Sequence, residues 1–109
     1  MTISWNETAP RAEPLFSRAW YRRKLRKGAE LYRERGRAFY LPRFFFDGTA
    51  LAMRGDGVEI IARLSAAISQ QNAWCKAGHW AFNDMRWIGL HATRMAERRM
   101  MKQQKRRAA

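Results

Sequence analysis

Apolar positions recur at three- and four-residue intervals over most of the chain, a rhythm that predicts a mainly α protein. The first predicted helix covers residues 14–35, where Leu15, Phe16, Ala19, Trp20, Leu25, Ala29 and Tyr32 follow helical spacing. Within it, Tyr21, Leu25, Gly28 and Tyr32 form one stripe. Pro14 suits a first-turn position, where its missing N–H costs nothing, and Gly36 supplies a C-terminal stop.

The clearest helical signal lies at 57–77. Asp56 can cap its N-terminus, and Glu59 three residues later suggests a capping box. Ile60, Ile61, Leu64, Ala67, Ile68, Trp74 and Cys75 then make a wide apolar stripe, interrupted only by Gln71. A second row of Ala62, Ser65, Ala66, Ser69 and Ala73 is small enough to let another helix come close, so this helix is the expected centre of the fold. Gly78 separates it from a last helix at 80–104, with Ala81, Met85, Ile88, Ala92 and Met95 on one face. Trp80 and Trp87 lie on its flank, and Phe82 and Leu90 project elsewhere. The expected core is Ile60, Ile61, Leu64, Ile68, Trp74, Met85, Ile88 and Met95.

Residues 38–53 follow neither rhythm. Pro42 interrupts a helix, the surrounding segment is strongly aromatic, and Asp47-Gly48 is a hairpin turn signal between two short apolar runs. The alternative is an irregular connection whose phenylalanines plug the core. The expected architecture is a small bundle of about three helices with this aromatic connection. Residues 1–13 form an N-terminal arm, 14–97 a single helical domain, and 98–109 a basic C-terminal tail.

Charge changes the picture from fold to partner. The chain of 109 residues carries 22 Lys or Arg against 9 Asp or Glu, a net +13, while 47% hydrophobic content argues against a wholly disordered polycation. The charge is uneven: residues 14–43 are net +8, 44–78 neutral and 79–109 net +6. Such a balance on a small domain implies an acidic partner.

Nucleic acid is the partner that the residue types favour. Arg18, Arg22, Arg23, Lys24, Arg26, Lys27, Arg33, Arg35 and Arg37 are interleaved with Trp20, Tyr21, Tyr32 and Tyr40. Guanidinium groups fork onto phosphate oxygens, and aromatic faces can stack unpaired bases. A second cluster follows at Arg94, Arg98, Arg99, Lys102, Lys105, Arg106 and Arg107. No zinc-finger spacing, RNP1-like strand or GxxG loop selects between RNA and DNA, so backbone-driven binding with weak sequence preference is expected.

Other chemistries find less support. Cys75, His79 and His91 are three soft ligand candidates where a closed zinc site needs four, so neither metal nor other cofactor is expected. A Cys75 and His79 pair lacks an orienting third group, and the chain is read as non-enzymatic. One cysteine allows no internal disulfide and fits the reducing cytoplasm. The N-terminus has no signal-peptide h-region, and no apolar run is long enough to span a membrane. Surface binding to a membrane is disfavoured because cations surround the 14–35 helix rather than leaving a clean apolar face.

In size, helical pattern and basic surface the chain is similar in general character to small helical subunits of nucleoprotein complexes, a likeness that assigns no residue a role. The expected function is that of a nucleic-acid-binding accessory or assembly protein. The alternatives are a subunit that docks on a larger complex through its 80–90 surface, and an inhibitor or regulator that targets an acidic protein surface.

Overall fold

A computed structural model describes residues 17–108 of the protein. These residues form five helices and, among them, no strand: α1 Arg18–Arg35, α2 Arg37–Phe44, α3 Gly48–Arg54, α4 Gly57–Ala77 and α5 Asp84–Ala108. The fold is mainly α, as the periodicity predicts. Three long helices carry it, and two short ones replace the ambiguous connection.

The start of α1 is set by Ser17, whose hydroxyl accepts the Trp20 N–H at 3.1 Å. The helix therefore begins later than Pro14 suggests; residues 14–16 lie outside the described residues. Gly36 ends α1 at φ 88°, a conformation costly for any side chain, and its N–H reaches the Tyr32 carbonyl at 2.8 Å.

No hairpin forms at 38–53. The Asp47-Gly48 step joins α2 to α3, and Leu41 and Leu51 enter one core with Ile60, Leu64, Ile68 and Leu90. A two-stranded ribbon would leave both edges unpaired, whereas two helical turns satisfy their own backbone and still deliver these leucines inward. Gly48 is needed for space rather than for a turn conformation: a Cβ there would lie 2.1 Å from the Leu41 carbonyl oxygen. Pro42 is accommodated inside α2, which is only eight residues long and closes with Phe45 N–H donating to Leu41 O at 2.9 Å.

The span of α4 agrees with the predicted 57–77. Asp56 Oδ1 accepts the Val58 and Glu59 N–H groups at 3.0 and 3.4 Å. Glu59 does not complete a capping box; its carboxylate takes Arg54 at 2.8 Å instead. Gln71, the polar break in the apolar stripe, is buried because its Oε1 accepts the Asn83 N–H at 3.1 Å. Asn83 in turn caps α5 by accepting the Arg86 N–H at 3.0 Å, which places the start of that helix after 80.

The central helix is α5 rather than α4. Along α5, α4 runs antiparallel: Asn72 meets Trp87, Ser65 meets Arg94, and Gly57 lies near Met101. On its other side α1 runs parallel, with Tyr21 against Trp87 and Gly28 against Ala92. A Cβ on Gly28 would come within 2.7 Å of the Ala92 methyl, so glycine lets the two helices touch. Of the expected core, Ile60, Leu64, Ile68 and Ile88 are buried, while Ile61 and Trp74 are only half-buried. Met85 and Met95 are 58% and 41% exposed, and Leu90 takes their place inside. The reason is the position of α2 and α3, which cover the side of α5 bearing Leu90 and leave the Met95 side open. Beyond Glu97, α5 continues unbroken; Met100 packs on the Ala29, Tyr32 and Ala96 cluster, and residues 102–108 are exposed.

Candidate nucleic-acid interface

Because α1 and α5 run parallel, the two basic segments come together on one side of the bundle. Arg22, Arg26 and Arg33, at spacings of four and seven, share one edge of α1. Facing them, Met95, Arg99 and Lys102 share an edge of α5. Between the two edges lies a groove of about 370 Å³, walled by Arg22, Arg26, Arg33 and Arg99 and floored by Leu25, Ala29 and Met95. An adjoining depression is lined by Met95, Arg98, Arg99 and Lys102. Met95, expected in the core, is thus part of this floor.

The six cations Arg22, Arg26, Arg33, Arg98, Arg99 and Lys102 are exposed, and among the described residues none is ion-paired. Glu30 is the acid on the groove wall. The outer side of α1 adds a second cationic depression, lined by Trp20, Arg23, Lys24, Arg26, Lys27 and Glu30. There the Lys24 ammonium sits 5.6 Å from the centre of the Trp20 ring. Arg18 stands in the first turn of α1, and Lys105, Arg106 and Arg107 in the last turn of α5, all exposed.

Several predicted contact residues are engaged elsewhere. Arg37 is half-buried and tied down: its Nε and Nη2 each donate to Glu97 at 2.7 Å, and its Nη1 donates to Gly55 O at 3.0 Å. That leaves it no fork for a phosphate. Arg94 is half-buried and donates to Ser65 Oγ at 3.2 Å. Arg35 lies 5.0 Å over the Phe39 ring.

The three predicted stacking tyrosines are likewise packed against other rings, while Trp20 lines the outer depression. Tyr32 is buried, and its hydroxyl donates to Glu97 Oε2 at 2.5 Å, so it is a core residue and not a base platform. Burial, followed by the Glu97 carboxylate, pushes its phenol far above the ordinary 10.0. Tyr40 is half-buried among Tyr32, Phe39 and Phe44. Tyr21 meets the Trp20 and Trp87 rings at 5.0 and 5.8 Å.

Glu97, absent from the residues that the sequence singles out, is 1% exposed and joins α1, α2 and α5 through these bonds. Nothing local marks it, since its partners lie 60 and 65 positions away. Cys75 is exposed, His79 turns back against Trp74, and His91 packs against Trp87 at 4.2 Å. Burial, then the Arg94 and Arg98 cations, hold the His91 imidazole below its ordinary pKa. Among the described residues no three His, Cys, Asp or Glu side chains converge as metal ligands. None of the described helices is long and apolar enough to cross a membrane. No protein-family model, curated protein or solved structure matches the chain.

Proposed function

We propose that the protein is a non-enzymatic nucleic-acid-binding accessory or assembly component that grips the phosphate backbone across the α1 and α5 face. One observation carries this reading: Arg22, Arg26 and Arg33 on one wall and Arg99 on the other line a single groove. Guanidinium forks suit phosphate oxygens, and the apolar floor can take sugar edges without competing for those donors. The contacts available are to backbone rather than to base edges, so binding is weakly sequence-selective. A single cysteine fits a reducing, cytoplasmic setting.

Anisotropy titrations with single-stranded RNA, single-stranded DNA and duplex DNA across salt test the proposal. With about five to eight cations engaged, the log–log slope is expected at roughly −4 to −7. Changing Arg22, Arg26, Arg33 and Arg99 together to Gln should make it shallower by about one unit per lost contact. Absence of binding to all three ligands at low salt overturns the proposal. The docking alternative through 80–90 has less surface than its sequence suggests, because Ile88 and Leu90 are buried and Trp87 is half-buried.

A further inference from the structure

The turn between α4 and α5 carries an aromatic ladder that the phosphate-binding face does not use. Gly78 adopts the left-handed conformation at φ 64°, its N–H donates to Cys75 O at 3.2 Å, and the His79 N–H donates to Trp74 O at 2.8 Å. This pair of bonds is a Schellman motif, and it folds the residue after the glycine back over the last helical turn. His79 accordingly stacks on Trp74, with ring centres 5.3 Å apart and planes 16° from parallel. The His79 Nδ1 accepts the Ala81 N–H at 3.0 Å, which holds the imidazole in place. Trp80 then continues the ladder at 5.4 Å and 26°, yet the residue is 90% exposed.

The Schellman turn accounts for the contact between Trp74 and His79, but it does not require an indole at 80. Offset rings at these spacings attract one another, and the ladder ends on a broad π face open to water. Its place in the bundle matters as much as its geometry. The contact of Tyr21 with Trp87 puts the first turns of α1 at the same end as the start of α5. Arg18 and Arg22 therefore stand at the ladder's end of the molecule, with Lys76 in the last turn of α4 and Asp84 as the acid there. From that end the cationic row of Arg22, Arg26 and Arg33 leads away along the groove.

We infer that Trp80 is a stacking platform for an unpaired base, so that the preferred ligand is a single strand whose backbone follows the α1 and α5 groove. A duplex keeps its bases stacked on one another and has none to offer the indole. A flexible single strand can lay a base on Trp80 and extend the ladder by one ring. This inference rests on the phosphate-binding reading and adds the strandedness of the ligand.

The test uses the full chain with four probes of equal length at fixed low salt: oligo(dA), oligo(A), an abasic single strand and a DNA duplex. Wild-type protein is expected to bind both base-bearing strands more tightly than the abasic strand. Trp80→Ala should lower affinity for the base-bearing strands by about 5- to 150-fold, the range of one stacked base, and bring them to the abasic level. The abasic strand and the duplex should be unaffected, and Trp80→Phe should recover part of the loss. The exposed position predicts an unchanged melting temperature for both variants. Equal losses on the base-bearing and abasic strands, or no loss on either, overturn the stacking site while phosphate binding stands. If wild-type protein binds none of the four probes, both readings fall.

Discussion

On the side of α1 and α5 that faces α2, Arg37 is bound at two donors by Glu97, and Tyr32 closes the same carboxylate from below. On the opposite side of the same two helices, Arg22, Arg26, Arg33 and Arg99 face an open groove, and among the described residues no carboxylate is bonded to them. The residue type is shared, and the surroundings decide what it does. Inside, a charge removed from water must keep its partners or destabilise the fold. Outside, an unpaired surface charge contributes little to stability, and clustering like charges opposes folding. The inner arginine is thus explained by the fold. The outer row is not, and that is why it points to a ligand.

The largest expected effect comes from opening the inner side. Glu97→Ala leaves the buried Tyr32 hydroxyl without its acceptor, strips two of three hydrogen bonds from the half-buried Arg37 guanidinium and opens a cavity, at a cost of about 2–5 kcal/mol. A small domain has only about 5–15 kcal/mol in total, so chemical denaturation should show a markedly lower midpoint. A loss under about 1 kcal/mol would mean that water reaches the carboxylate and that the two sides differ less than their geometry implies.

Removing only the hydroxyl is milder. Tyr32→Phe should cost about 1–3 kcal/mol at neutral pH, since Glu97 Oε2 keeps its bond to Arg37 Nε. The same hydroxyl gives the inner side an alkaline limit. In the unfolded chain the phenol ionises near pH 10, whereas in the fold burial and Glu97 hold it protonated to much higher pH. The unfolded state therefore binds fewer protons above about pH 10, and stability falls as pH rises beyond that point. Melting curves of wild type and Tyr32→Phe should converge through this range; parallel curves would show that Tyr32 does not set the limit.

How much of this contrast the sequence discloses depends on distance along the chain. The α4 helix is legible end to end, because Asp56, the apolar stripe and Gly78 are local signals. The two short helices are not, because Asp47-Gly48 looks like a hairpin turn until Gly48 is seen pressed against the Leu41 carbonyl. Burial along α5 is illegible for a related reason: Met95 and Leu90 are equally apolar, and only the placement of α2 and α3 decides which is covered. The basic clusters are plain from composition, but Arg37 and Arg33 look alike until Glu97 claims one of them. Trp80 was visible as an apolar residue; its role as the end of a ladder needs the turn at Gly78.

A smaller effect should come from the exposed pair of Asp47 and Arg63, which bridges the turn between α2 and α3 to α4. Two hydrogen bonds from Arg63 lower the Asp47 pKa from 3.8 to about 2. The depressed value means that the pair stabilises the fold above about pH 4 and that its contribution is lost as pH falls towards 2. Arg63→Gln should remove that segment of the acid-unfolding curve and leave neutral-pH binding alone. An unchanged acid curve would show that solvent screening already cancels the pair.

The smallest effect on stability, and the sharpest contrast, is expected from neutralising the outer row. Single exposed arginines contribute within about ±0.5 kcal/mol, so Arg33→Gln should leave the denaturation midpoint almost where it was, while Arg37→Gln lowers it clearly. Their effects on binding should be reversed. Arg33→Gln removes one groove donor and should make the salt slope shallower by about one unit, whereas Arg37 has no free fork and its loss should leave the slope of the folded fraction unchanged. Measured on the same two variants, the pair of experiments separates fold from function at positions four residues apart in the chain. If Arg37→Gln flattened the salt slope as much as Arg33→Gln, the inner arginine would be reaching phosphate after all, and the division between the two sides of α1 and α5 would fail.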